Sequence, residues 1–169
     1  MDLLLSTADP ARIRAALREL LGPTGALWFG RDAEELLTLD RPSTAVLLTS
    51  SDVPGFPVAL CFAGILASHL GHDRPAAPHL DPSSAQVTAV LQRLAFELSR
   101  RLDGEVLVEA TGHAPSKSPY WSILWRSGRA FLADDSGVDG DPPERPRVVG
   151  ELALDGESLL PELLVPPRG

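Results

Sequence analysis

Residues 69–79, "HLGHDRPAAPH", hold three of the four histidines of this 169-residue chain. Imidazole and carboxylate ligands suit zinc or another divalent first-row ion. His69 and His72 stand at i, i+3, Asp73 adds a carboxylate, and His79 returns across the intervening loop. A metal-assisted hydrolase is the enzyme such a set would serve. The spacing gives that reading little support, because the glutamate-bearing H-E-x-x-H pattern is missing and no cysteine ligand is near. The prolines and alanines between the histidines are what an exposed connection contains, and the expectation is that no metal binds here.

A second candidate is "DDSGVDGDPPE", where Asp135, Asp139, Gly140 and Asp141 suggest hard oxygen ligands for calcium. An EF-hand loop needs an oxygen at its third position and a glutamate at its twelfth. Counted from Asp135 those places hold Gly137 and Pro146, so a solvated acidic loop is expected instead. "TGHAPSKSPY" offers His113, Ser116, Lys117 and Ser118 between two strands, but no nucleophile elbow and no acid partner for a triad. Gly112 stands alone, so there is no phosphate-cradling loop. A polar loop at a sheet end remains a common binding surface. Of the aromatic residues Trp28, Tyr120, Trp121 and Trp125, the pair Trp121 and Trp125 reads as core, and Tyr120 as the exposed member.

The elements that must carry these residues are legible from periodicity. In "DPARIRAALRELLG", Asp9 caps, Pro10 fits the first turn and Gly22 ends a helix. Its apolar face is Ile13, Ala16, Leu17, Leu20 and Leu21. The runs "ALWFG", "ELLTL", "TAVLLTS" and "FPVALCFAG" read as three or four strands of a meander, separated by turn residues. "VLLTS" and "VALCF" are nearly continuous apolar runs, as expected where both faces of a sheet are covered. A long helix over about 82–102 follows, with Ser83 and Gln86 as a capping box and a stripe of Val87, Val90, Leu91, Leu94, Ala95, Leu98 and Leu102. Asp103-Gly104 stops it. "EVLVEA", "YWSILWR" and "RAFLA" are strands, the last two joined by a Ser127-Gly128 hairpin turn. In "YWSILWR", Trp121, Ile123 and Trp125 share one face, and Tyr120, Ser122, Leu124 and Arg126 the other. Residues 134–146 read as a mobile acidic Gly/Pro-rich loop. A short extension, 147–169, holds an edge strand "RVVGELAL" and a short helix "GESLLPELL".

Strands beside a few helices mean α+β: a single domain, an antiparallel meander packed by an N-terminal helix and a long central helix. The length suits one hydrophobic core. Formal charge is −8, and net −6 of it falls in residues 134–169, with nine acidic and three basic groups. An acidic chain has no electrostatic attraction for nucleic acid or anionic lipid. Cys61 is the sole cysteine and reads as a small buried hydrophobe, so no intrachain disulfide forms. No signal peptide or bilayer-spanning run is legible, and a cytoplasmic protein is expected. One lysine against fourteen arginines is the bias of a GC-rich bacterial genome.

"LQRLAFELSRRLDGEVLVE" followed by "SILWRSGRAFLADD" resembles, over residues 86–135, the small bacterial immunity proteins that neutralise polymorphic toxins. Those often end with a long helix, a strand, and a hairpin of apolar strand, "G-R", apolar strand. The resemblance implies tight, non-catalytic inhibition of one cognate toxin. The order helix, strands, helix, strands, helix is also similar to secretion-chaperone-like domains, which dimerise and hold a client; the tail beyond residue 135 departs from that plan. Both resemblances imply a protein partner. With no cofactor fingerprint and no complete catalytic set, the expected function is a non-catalytic protein-binding module. The segment Asp134–Glu144 is expected among the contacts through Asp134, Asp135, Asp139 and Asp141, with Tyr120 and His113 beside it.

Overall fold

A four-residue apolar run at the start of the chain forms the middle of the sheet. In the computed structural model, which describes residues 2–21, 26–29, 45–63, 85–116 and 119–159, strand β1 (Asp2–Leu5) pairs on both sides. It lies antiparallel to β4 (Val58–Ala63) on one flank and to β5 (Glu105–Glu109) on the other. Outward from β4 come β3 (Ala45–Ser50) and β2 (Ala26–Phe29). Outward from β5 come β6 (Trp121–Arg126), β7 (Arg129–Asp134) and β8 (Arg147–Leu152). The class is α+β, as expected.

The topology corrects the expected meander in its first half. β5 to β8 are consecutive antiparallel neighbours. On the other flank β2 pairs parallel to β3, which no tight hairpin can close, and β1 separates β4 from β5. The expected strand "ELLTL" lies outside the described residues, as does the 69–79 histidine stretch. Within "YWSILWR" the expected alternation holds. Ile123 and Trp125 are fully buried on the side of the helices, Trp121 is half-buried there, and Ser122 and Leu124 are buried on the opposite face. The side chain of Trp28, in β2, lies outside the description.

Helix α1 (Pro10–Leu21) starts where expected: the Asp9 carboxylate accepts from Ala11 N at 2.9 Å. Ile13, Ala16, Leu17 and Leu20 are buried. Helix α2 (Ala85–Arg101) lies beside α1 and packs on β5 and β6. It buries Leu91, Leu94, Ala95 and Leu98, and Leu102 just beyond it, in the same core as Leu3, Leu5, Leu60, Val106 and Val108. Its proposed cap, Asp81 or Ser83, lies outside the described residues. Asp103 adopts φ 49° and ends the helix, and Arg12 Nη2 donates to the Leu102 carbonyl at 2.9 Å, a cation at the negative end of the helix.

α2 is more deeply enclosed than one stripe requires. Gln92, Phe96, Glu97 and Ser99 are buried too, because the chain beyond β8 returns across its outer side. Arg93 donates from Nη1 to the carbonyls of Gly156 (2.9 Å) and Glu157 (2.7 Å). A Cβ on Gly156 would stand 2.3 Å from the Phe96 ring. The expected C-terminal helix is here a single 3-10 turn, Gly156–Ser158, capped by Asp155; residues from 160 on lie outside the description.

Candidate functional site

Strand alternation places Glu105, Leu107 and Glu109 of β5, and Ser122 and Leu124 of β6, on the face turned away from the helices. The β5–β6 register sets Leu107 against Leu124 and Glu109 against Ser122. Leu107, Leu124, Phe56 and Ala133 form a second apolar cluster here, with Leu4, Val53 and Phe131 packed against it. Both faces of the sheet therefore carry cores, as the continuous apolar runs required.

Two loops lie over this second face. The β3–β4 loop closes through Phe56 N to the Val53 carbonyl at 2.9 Å and buries the Phe56 ring. The acidic loop between β7 and β8 is wound into turns rather than extended as a loose strand connection. Val138 N donates to Asp135 O (2.9 Å), and Gly140 N (3.1 Å) and Glu144 N (2.9 Å) both donate to Gly137 O. At its far end Arg145 lies over the Phe56 ring, 5.4 Å from the centroid, and pairs with Glu105. The expectation of a loop without internal order is corrected: Gly, Asp and Pro here specify turns and reduce the number of extended alternatives.

Between the two loops the sheet face is left open as a cleft of about 380 Å³. Leu4, Leu107 and Ser122 supply its sheet side, Val53 comes from the first loop, and Val138 and Asp139 from the second. Glu109, Asp135, Asp139 and Tyr120 also line it. Three carboxylates thus meet an apolar surface, and among the described residues no basic side chain lines the cleft.

Asp135 is the best positioned of them. Its backbone N donates to the Tyr120 carbonyl at 3.0 Å, and its Oδ2 accepts from the Ser122 hydroxyl at 2.5 Å. Its Oδ1 is buried and has no hydrogen-bond partner among the described residues. No protein family model, curated protein or solved structure matches this chain. The chemistry of the site therefore has to be read from its own geometry.

The six residues expected to contact a partner divide into two groups. Asp135, Asp139 and Tyr120 come together at the cleft. Asp134, Asp141 and His113 do not line it. Asp134 ends β7, where its carboxylate accepts from Ser136 N (3.0 Å) and Arg147 Nη2 (3.1 Å). Bonding to Ser136, and then to Arg147, holds its carboxyl below the usual range. Asp141 is exposed and precedes a cis peptide to Pro142. His113 is exposed in a turn, its N–H donating to Ala110 O at 2.9 Å.

Glu109 escaped the sequence reading. Its alternation with Leu107 in "EVLVEA" was visible, but its approach to the acidic loop depends on which strand β5 neighbours. Ser116, considered above as a nucleophile, instead accepts from Trp121 Nε1 at 2.9 Å; Lys117 and Ser118 lie outside the described residues. Among those residues no group of three or more His, Cys, Asp or Glu is placed to hold a metal ion, so the carboxylates of the cleft are too dispersed for calcium coordination. No helix among them is long and apolar enough to cross a membrane.

Proposed function

We propose that this protein works without catalysis, by binding and occluding another protein, as the immunity proteins it resembles do with their toxins. The observation that carries this reading is the cleft: an apolar surface framed by Glu109, Asp135 and Asp139 with no basic side chain lining it among the described residues. An unbalanced cluster of exposed carboxylates attracts a basic partner from a distance and speeds encounter more than it adds affinity. The apolar surface beside it supplies contact area once the partner has docked. The charge split of the chain, net −6 in residues 134–169, acts in the same direction.

The test begins with a toxin encoded beside this gene, co-expressed with the protein and purified as a complex. Association is then measured at two ionic strengths for the wild type and for a Glu109→Gln/Asp139→Asn variant. The expected result is several-fold slower association for the variant, with a flatter salt dependence and an unchanged fold. A toxin that gains no protection and forms no complex refutes the immunity role. Association rates identical in both proteins at both ionic strengths refute the part given to the cleft.

A further inference from the structure

We infer that the cleft is a receptor for one arginine side chain displayed by the partner protein, gripped at Asp135 and stacked on Tyr120. This rests on the protein-binding reading and names the chemistry of the contact. The first support is the state of Asp135. Ser122 fixes the carboxylate by bonding Oδ2, while Oδ1 stays buried and unpartnered among the described residues. A buried acceptor without a donor is uncommon in a native structure. It is satisfied when a donor enters, and a charged donor makes the stronger bond.

The second support is shape. The cleft, about 380 Å³, falls at the lower end of the roughly 300–1,000 Å³ typical of ligand sites. That is room for an extended side chain and its immediate backbone. Leu4, Leu107 and Val138 offer apolar contact to a methylene stem, while Glu109 and Asp139 add negative charge. The carboxylates are not gathered closely enough for a metal ion. A guanidinium, with five donors spread over a planar fork, can bridge acceptors that a small ion cannot.

The third support is the choice between arginine and lysine. Tyr120 lines the cleft and is 44% exposed. Guanidinium groups stack on aromatic faces and shed water more readily than an ammonium does. The same face of this protein already uses that arrangement internally. Arg145 covers the Phe56 ring while pairing with Glu105, and Arg126 and Arg129 flank Phe131. The cleft offers an aromatic residue and carboxylates with no arginine of its own among the described residues lining it.

The test needs no partner. Amide NMR spectra of the full chain are recorded during titration with terminally blocked Gly-Arg-Gly, and with the Gly-citrulline-Gly and Gly-Lys-Gly analogues. Saturable shifts are expected at Leu107, Glu109, Ser122, Asp135 and Val138 with the arginine peptide. The citrulline peptide, isosteric but neutral, should bind at least tenfold more weakly, and the lysine peptide severalfold more weakly. Asp135→Asn retains an acceptor for Ser122 but lacks the charge, and should weaken the arginine peptide about tenfold while the remaining spectrum is unchanged. Equal response to arginine and citrulline, or shifts scattered over Asp141 and Glu144, overturns the inference. Free arginine binding more tightly than the blocked peptide overturns it too, by marking a small-molecule site. If the peptides fail while the toxin still associates in a salt-dependent way, only this inference falls and the occlusion reading stands.

Discussion

Replacing Gln92 by methionine should destabilise the fold by about 1.5–3 kcal/mol, a large effect for a polar residue outside the apolar stripe of its helix. Gln92 is 2% exposed, and its amide works in two directions. Oε1 accepts from Trp125 Nε1 at 2.8 Å, and Nε2 donates to the Glu109 carbonyl at 3.0 Å. Trp125 is fully buried, so its orphaned N–H would carry a desolvation penalty of about 1–3 kcal/mol. Losing the bond to Glu109 O, at the end of β5, adds about 0.5–1.5 kcal/mol. Methionine is close in volume and its thioether needs no partner, which offsets part of the sum.

Urea unfolding followed by tryptophan fluorescence reads the effect as a lower midpoint at unchanged slope. The decisive step is the double-mutant cycle with Trp125→Phe, which removes the donor and keeps the ring contact of 5.5 Å with Phe96 in outline. In that background Gln92→Met should lose at least about 1 kcal/mol of its effect, within the range expected for residues in contact. A Gln92→Met effect below about 0.5 kcal/mol, or strict additivity in the cycle, would refute the reasoning. The first outcome would mean that the two bonds are exchanged for water without loss, and the second that they are independent.

Two further outcomes follow from α2 and the segment that covers it. Gly156→Ala should cost about 1–3 kcal/mol by overpacking, since the new Cβ would meet the root of the Phe96 ring at 2.3 Å; Trp125, Arg93 and Arg100 hem that ring in. Faster hydrogen exchange at residues 153–159 is the check, and a variant as stable and protected as the wild type would contradict it. Burial opposes the charge of Glu97, but hydrogen bonds from Arg101 and Arg93 outweigh that and hold its carboxyl below the usual range. A lowered folded pKa contributes stability above the unfolded value, and that contribution is lost as pH falls through the folded one. Glu97→Gln should therefore cost about 1–2 kcal/mol at neutral pH, less than the roughly 1.5–3 of a charged hydrogen bond because Arg101 is one-third exposed. The difference from wild type should shrink below about pH 4, and a gap that widens on acidification would show the sign to be wrong.

What the sequence determined by itself lies where the signal is local. Asp9 before Pro10, and a 3.6-residue apolar period, specify α1 whatever surrounds it, because caps and periodicity act within a few residues. Ser127-Gly128 specifies the β6–β7 hairpin for the same reason: both residues take positive φ, 49° and 79°, and such a turn matches the twist of the strands it joins. The two-residue period of β6 assigned Trp125 and Ser122 to opposite faces before any neighbour was known. It also marked Glu109 as sharing a face with Leu107.

A strand's period tells which face a side chain takes, but not which strand lies beside it. That is decided by long-range pairing, for which no local residue pattern carries a code. "DLLL" is too short to show an alternation, yet it is the strand that joins the two halves of the sheet. Gln92 and Ser99 look solvent-facing on a helix considered alone. They are buried because β6, the hairpin turn and residues 153–159 close around α2: Ser99 Oγ accepts from Gly128 N at 3.1 Å, and Gln92 bonds Trp125. The cleft is likewise a product of tertiary structure. Glu109 and Asp135 are twenty-six positions apart in the sequence, and the antiparallel registers of β5, β6 and β7 bring them to one surface. The same registers leave Asp134, next in the chain to Asp135, on the opposite face with Arg147.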